Sequence, residues 1–175
     1  MTRKIILNLA MSLDGFIADT SGNYDWIYGD GNRKVDTKSQ WSYDNFLKEV
    51  DTVIMGHHCF KQNLHQTFSD KKVYVACSEQ KEASKNICFI QGDICKPILE
   101  ELKQEGKNIF LFGGGITIDP FIKENMIDEY IIAMVPILLG EGHPLFLTQT
   151  PRIRLFLEAC YISSGITILH YKKKL

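Results

Sequence analysis

The sequence has 175 residues, a length that fits a single domain spanning residues 1–175, with a core that needs no disulfide or metal to hold it. At 45% hydrophobic and 23% charged residues it is not disordered, collagenous or a coiled coil. Twenty Lys and Arg against 21 Asp and Glu leave a net charge of −1, so there is no broad basic face for a phosphate backbone and nucleic acid is not an expected partner.

In chain order, Lys4 to Met11 reads as a strand, its Ile5, Ile6, Leu7 and Leu9 nearly continuous, as in a strand buried on both faces. Asn8 interrupts this run and Ser12 and Asp14 follow at once, so it does not read as a signal peptide. Ser12 to Gly15 is a turn with Asp14-Gly15 as its breaker, and Phe16 to Ala18 is a short extended piece. Asp19 to Asp36 is polar and carries Gly22, Gly29 and Gly31. A loop of that length is more often functional than idle. Ser42 caps a helix to about Val50, with Phe46, Leu47 and Val50 on one face. Thr52 to Met55 is a strand ended by Gly56, and Lys72 to Ala76 and Ile87 to Ile90 are two more. Asp93 precedes an amphipathic helix with Ile94, Ile98, Leu99 and Leu102 inward, Pro97 in its first turn and Gly106 at its C-cap. Asn108 to Phe112 is a strand, and Gly113-Gly114-Gly115 opens a helix to about Lys123, with Pro120 near its start. Glu129 to Val135 is a strand, and Ile153 to Ile162 and Ile166 to Lys172 form a hairpin around Ser163-Ser164-Gly165. Strands alternating with helices predict a mainly parallel α/β sheet, and the hairpin predicts one antiparallel edge.

The five cysteines, Cys59, Cys77, Cys88, Cys95 and Cys160, are odd in number and show no C-x-x-C spacing. That disfavours a disulfide framework or a zinc knuckle and suits reduced thiols in the cytoplasm. The most apolar window away from the N-terminus, Tyr130 to Leu139, has ten residues and contains Pro136, against about 20 for a membrane span. A soluble, cytoplasmic protein with no membrane partner is expected.

Four segments carry candidate chemistry. In FLFGGGITIDPF, Phe110 to Phe121, an apolar strand feeds three glycines that open a helix. Glycine permits close backbone approach, and the first N–H groups of a helix are free and at its positive end. The segment either binds a dinucleotide diphosphate or is a tight strand-to-helix connection. It is not a Rossmann fingerprint, since Ile118 stands where the third glycine belongs, and it is not a P-loop. SLDGFIA, Ser12 to Ala18, puts a hydroxyl and a carboxylate at the end of a central strand, where ligands of open α/β sheets bind; the alternative is a plain Asp-Gly turn. VIMGHHCF, Val53 to Phe60, repeats the layout, with His57, His58 and Lys61 as donors to a phosphate. Adjacent histidines on a strand point apart, so no metal site is assigned. Pro136 to Phe146 is a structured loop, either a substrate lid or simple packing, with His143 as a base or merely solvated.

SLDGFIA, IMG, FGGG and DEYIIAMVPILLGEGHPLF, in this order, make the chain resemble the dihydrofolate-reductase-like superfamily. Within it, the chain is most similar to the C-terminal reductase domain of the bifunctional riboflavin-biosynthesis deaminase–reductase and its stand-alone bacterial relatives. The resemblance implies a three-layer α/β/α fold with a mixed, mostly parallel central sheet and a C-terminal antiparallel hairpin. It also implies a homodimer and a reductase that passes hydride from NADPH to a small heterocyclic or phosphoribosylamino-pyrimidine substrate. By resemblance, Ala10 and Met11 lie near the nicotinamide, Gly56 and His57 meet the adenosine side, and Cys77 and Ser78 belong to the same nucleotide site. Gly113, Gly114, Gly115, Ile116 and Thr117 cradle the diphosphate, and Asp14, Asp25 and Trp26 face the substrate, Trp26 by stacking on a ring. Asp14 or Asp25 would supply the proton, given a pKa raised by burial. Relatives commonly carry arginine where this chain has His57 and an acid where it has Phe112, with Lys61 or His58 as substitutes for the arginine. A nucleotide-binding protein without turnover is the alternative. The zinc signature of the deaminase half is absent from the sequence, so no deamination is expected.

Overall fold

A computed structural model describes residues 3–79 and 81–174. The apolar run after Lys4 becomes β1 (Ile5–Ser12), and Phe16–Ala18 forms the short β2. Ser42 does cap a helix, its hydroxyl accepting from the Asn45 N–H at 3.2 Å, but α1 (Tyr43–Lys48) ends before Val50. Val50 instead opens β3 (Val50–Gly56), where it is buried in the sheet. There follow α2 (His57–Lys61), a 3₁₀ turn (Leu64–Phe68), β4 (Lys72–Cys77), β5 (Ile87–Gln91) and α3 (Cys95–Leu102). The chain continues with β6 (Asn108–Gly113), α4 (Gly115–Lys123), β7 (Glu129–Val135), the two-residue β8 (His143–Pro144), β9 (Leu155–Ser163) and β10 (Ile166–Lys173). The hairpin turn runs through Ser164 and Gly165, both at positive φ, which matches the twist of the flanking strands.

Eight strands form one sheet in the order β5-β4-β3-β6-β1-β7-β10-β9. Neighbours are parallel from β5 to β7, and β10 runs antiparallel to both β7 and β9. Ile5, Leu7, Ile54, Ile109 and Leu111 face α3 and α4, packing on Ile98, Ile118 and Phe121. Ile6, Val53, Met55, Phe110 and Ile131 face the other way, onto Phe46 of α1 and Phe68 of the 3₁₀ turn. The run at the start of β1 is continuous because both faces of this strand are covered.

Three helix details differ from the sequence expectation. Leu99 is 47% exposed, and α3 turns Ile98, Cys95 and Glu101 inward. Glu101 displaces an apolar residue there because Arg3, Lys72 and Tyr74 all donate to its carboxylate. Gly106 lies beyond the α3 cap at Lys103, and its missing Cβ makes room for the Arg3–Asp51 pair. Pro120 is the sixth residue of α4, not near its start. It leaves the Ile116 carbonyl without an intrahelical donor, on an exposed turn.

The fold places the ends of β1, β3, β6 and β7 along one edge. From β3 the chain moves outward to β4, and from β6 it returns past β1 to β7. The gap between the ends of β3 and β6 is therefore a topological switch point, where open α/β sheets bind ligands.

Candidate functional site

Two chain segments leave the switch point side by side. After β3, Gly56 leads straight into α2; after β6, Gly113 and Gly114 lead into α4. A Cβ on Gly56 would stand 2.6 Å from the Thr117 hydroxyl. The Cys59 thiol lies 3.7 Å from the Gly113 carbonyl. The Gly113–Gly114 peptide bond is cis, and Gly113 has φ +115°. The Gly114 carbonyl accepts from the Thr117 and Ile118 N–H groups at 2.9 and 3.0 Å. Helix geometry leaves the Gly115 and Ile116 N–H groups without intrahelical partners, and Ile116 is 83% exposed. This end of α4 presents open donors and no carboxylate in its first turn.

Each glycine has its own reason. Gly113 needs the positive φ. A Cβ on Gly115 would come within 2.4 Å of the Pro144 carbonyl, so this residue lets β8 approach. On Gly114 a Cβ would meet only Ile17 Cδ1, at 3.4 Å. Gly114 is thus the glycine whose bareness is least explained by packing.

Positive charge gathers beside α2. Lys81, arriving from the β4–β5 connection, donates to His57 Nε2 at 2.8 Å. Burial, with the charges of Lys81 and Lys61, holds the His57 pKa below its usual 6.5. The imidazole is therefore neutral at pH 7 and serves as Lys81's acceptor. Lys81 escaped the sequence reading because nothing in its local sequence marks it; the β4–β5 topology brings it there. Cys77 ends β4 half-buried, its thiol 2.9 Å from the Glu79 carbonyl, and Ser78 is exposed, its carbonyl accepting from Gln91.

A roof crosses the edge. β2 pairs with β8, and Leu145 N–H donates to the Gly15 carbonyl at 3.0 Å. The loop after β2 is folded around Asp19, whose carboxylate accepts from Ser21, Asn23 and the Asn23 amide; these bonds hold its pKa down. Its tip reaches α2, where the Gln62 amide donates to the Gly22 carbonyl at 3.4 Å. Trp26 does not offer a ring face to a ligand: it is 7% exposed, and its indole N–H donates to the Asn23 carbonyl at 3.3 Å. Asp25 beside it is exposed and makes no side-chain hydrogen bond among the described residues.

Asp14 departs from the expected proton donor. One of its oxygens accepts from the Ser12 hydroxyl at 2.6 Å and the Leu139 N–H at 3.2 Å, the other from the Gly140 N–H at 2.7 Å. The Ser12 bond, opposed by desolvation and aided by the two amides, lowers its pKa. It is a carboxylate at pH 7 that ties β1 to the loop after β7. Ala10 and Met11 lie on the last turns of β1, partly exposed, paired with Ala133 and Met134 of β7. His143 is exposed in β8. Among the described residues no three His, Cys, Asp or Glu side chains gather as a metal site would need. No helix among them is long and apolar enough to cross a membrane.

Comparison with known proteins gives a consistent picture. The chain is 34% identical over 180 residues to the uncharacterized protein YwjB of Bacillus subtilis, covering 98% of each. Its structure superposes with a TM-score of 0.80, at 28% identity, on a protein from Shewanella sp. PV-4 whose description names riboflavin biosynthesis, covering 98% of this chain and 99% of that one. Dihydrofolate reductase from Enterococcus faecalis, solved with NADP(H), shares the fold at a TM-score of 0.68 and 12% identity, covering 100% and 99%. The family model for the RibD C-terminal domain matches residues 3–167, and the chain belongs to that family.

Proposed function

We propose that the chain is an NADPH-dependent reductase of a small heterocycle, of the kind reduced in riboflavin biosynthesis. One observation carries this reading: Gly56, where α2 begins, stands against Thr117 of α4, so the open amides at the start of α4 and the His57–Lys81 pair at the start of α2 leave neighbouring strand ends. The residues suit a dinucleotide phosphate. Gly115 and Ile116 N–H groups and the Thr117 hydroxyl are donors to a diphosphate, and bare Gly114 leaves it room. Lys81 and Lys61 supply the charge for a 2′-phosphate where relatives place arginine. Gly56 and His57, with Cys77 and Ser78, border the adenosine side, and Ala10 and Met11 the nicotinamide.

When bound, the reduced nicotinamide supplies hydride to a carbonyl or imine carbon, and a proton follows to the heteroatom. Asp14 acts as a positioning residue. Its three hydrogen bonds, with that of the Leu13 N–H to the Ile137 carbonyl, fix the Ile137–Gly140 segment against β1, at the edge where substrate enters. The proton comes from solvent at this open edge, where the roof loop carries the exposed Asp25. Oxidation of NADPH with a panel of pteridines and pyrimidines tests the reading. Substrate-dependent loss of the reduced-nicotinamide absorbance is expected. The second reading, a nucleotide binder without turnover, is favoured by one fact, the full engagement of Asp14; it predicts NADPH binding and no oxidation across the panel.

A further inference from the structure

Asn8 sits in the middle of β1, one of the two central strands of the sheet, and is 9% exposed. Its amide Nδ2 is buried and has no hydrogen-bond partner. Its neighbours are apolar: Ile6 two residues back on the same face, Ile131 opposite on β7, and Phe112 one step beyond the Leu7–Leu111 pair on β6. A buried amide left unpaired costs folding free energy, and an isoleucine would fill the site without that cost. The orphan donor therefore calls for a partner from outside the chain.

The surroundings supply the space. Two residues further along the same face, Ala10 pairs with Ala133 of β7. Both are partly exposed although their strands are central. The six-residue α1 is too short to cover this part of the face. Two small side chains in register leave room over the sheet, two residues along the same face from Asn8. A cleft of about 390 Å³, lined by Ile6, Ile131, Trp41, Glu49, Glu129 and His170, lies on the same face toward α1.

We infer that Asn8 is the substrate-reading residue, pairing with the lactam edge of an uncharged, planar nitrogen heterocycle that lies over Ala10 and Ala133. A carboxamide offers one donor and one acceptor side by side, which matches the N–H and C=O of a ring lactam. The side chains next to Asn8 on this face, Ile6, Ile131 and Phe112, carry no charge, so the recognised edge is neutral. This rests on the reductase reading, because Ala10 is also the residue assigned to the nicotinamide, so the two rings would meet there.

The test is calorimetry on the full chain, with and without NADPH, using lumazine and 1,3-dimethyllumazine, which lacks the ring N–H groups of the pyrimidine half. The wild type is expected to bind lumazine about tenfold tighter than the dimethyl compound, as the loss of a neutral hydrogen-bonded edge implies. Asn8→Leu is expected to abolish this ratio by weakening lumazine alone, to leave NADPH affinity unchanged, and to melt no lower than the wild type in the absence of ligand. Should Asn8→Leu not fold, Asn8→Asp carries the comparison, with an expected loss of about tenfold for lumazine at pH 7. A ratio that survives Asn8→Leu overturns the inference. So does a wild type that does not discriminate, or a lower melting temperature for the unliganded variant, which would make the amide a structural partner of buried water. Failure of NADPH to bind, with lumazine discrimination intact, would remove the reductase reading and leave the role of Asn8 standing.

Discussion

Gly113, Gly114 and Gly115 share a side chain and differ in what surrounds it. Gly115→Ala drives a methyl group toward the Pro144 carbonyl, 2.4 Å away. It should destabilise the protein by about 1–3 kcal/mol, read as a shift in denaturant midpoint. Gly114→Ala meets only a flexible Ile17 methyl, so it should fold normally and lose NADPH affinity, measured by calorimetry. Equal cofactor affinity in that variant would take the diphosphate away from this turn. His57 gives a second residue-scale prediction. Its pKa is held below 6.5 in the free protein. A phosphate dianion beside Lys81 would raise that pKa, so binding takes up a proton. NADPH affinity should therefore increase as pH falls from about 8 toward 6, while NADH affinity should stay flat. Asp14, with its lowered pKa, stabilises its loop above pH 3.8 and loses that contribution as pH falls through its own pKa. Asp14→Asn should make the 137–142 segment more susceptible to protease and leave the acid limb of the rate profile in place. Loss of that limb would make Asp14 the proton donor after all.

The elements that hold the site are anchored at the far ends of the strands by charge. The Arg3 guanidinium is buried and donates to the Lys107 carbonyl at 2.6 Å, Glu101 Oε1 at 3.0 Å, the Thr52 hydroxyl at 2.8 Å and Asp51. It joins the starts of β1, β3 and β6 to the end of α3. Arg3→Met removes the cation and leaves its partners desolvated, which should cost about 3 kcal/mol in a denaturant titration. At the start of β7, Glu129 accepts from His170 and Lys4, and its pKa falls to about 2. This depressed pKa stabilises the fold above pH 4.5 and is lost as pH falls toward 2, a contribution on the order of 2–3 kcal/mol. Glu129→Gln should therefore lower the melting temperature at pH 7 and have little effect near pH 2. Neither network was legible in the sequence, because residues such as Arg3 and Glu101 lie 98 positions apart and meet only through sheet order. The central strands were legible because their apolar runs match two-sided burial, whereas β8, two exposed residues inside a glycine-rich loop, was not. α2 and the 3₁₀ turn were not, since short elements bury few residues and carry little periodicity.

For the whole molecule, sequence order put the glycine-bearing segments at strand ends, and the sheet order then brought two of those ends together. That is why the resemblance read from SLDGFIA, IMG and FGGG led to the right fold, whereas the inner working of the site had to wait for coordinates. Donating a proton would require burial to raise the Asp14 pKa; the Ser12 hydroxyl and two loop amides, the latter 125 and 126 residues away, lower it instead. Trp26 read as an available aromatic because its burial depends on how the roof loop closes. Lys81 and Asn8 stand out only when partners, present or missing, are seen around them. Whether the ends of β3 and β6 hold a phosphorylated pyridine dinucleotide is decided by calorimetric titration of the wild type and Lys81→Ala with NADPH and NADH. Saturable binding of NADPH, about tenfold tighter than NADH in the wild type and equal to it in Lys81→Ala, is the predicted result. Heatless titrations with both coenzymes at about millimolar concentration, or a preference for NADPH that survives the loss of Lys81, would contradict it.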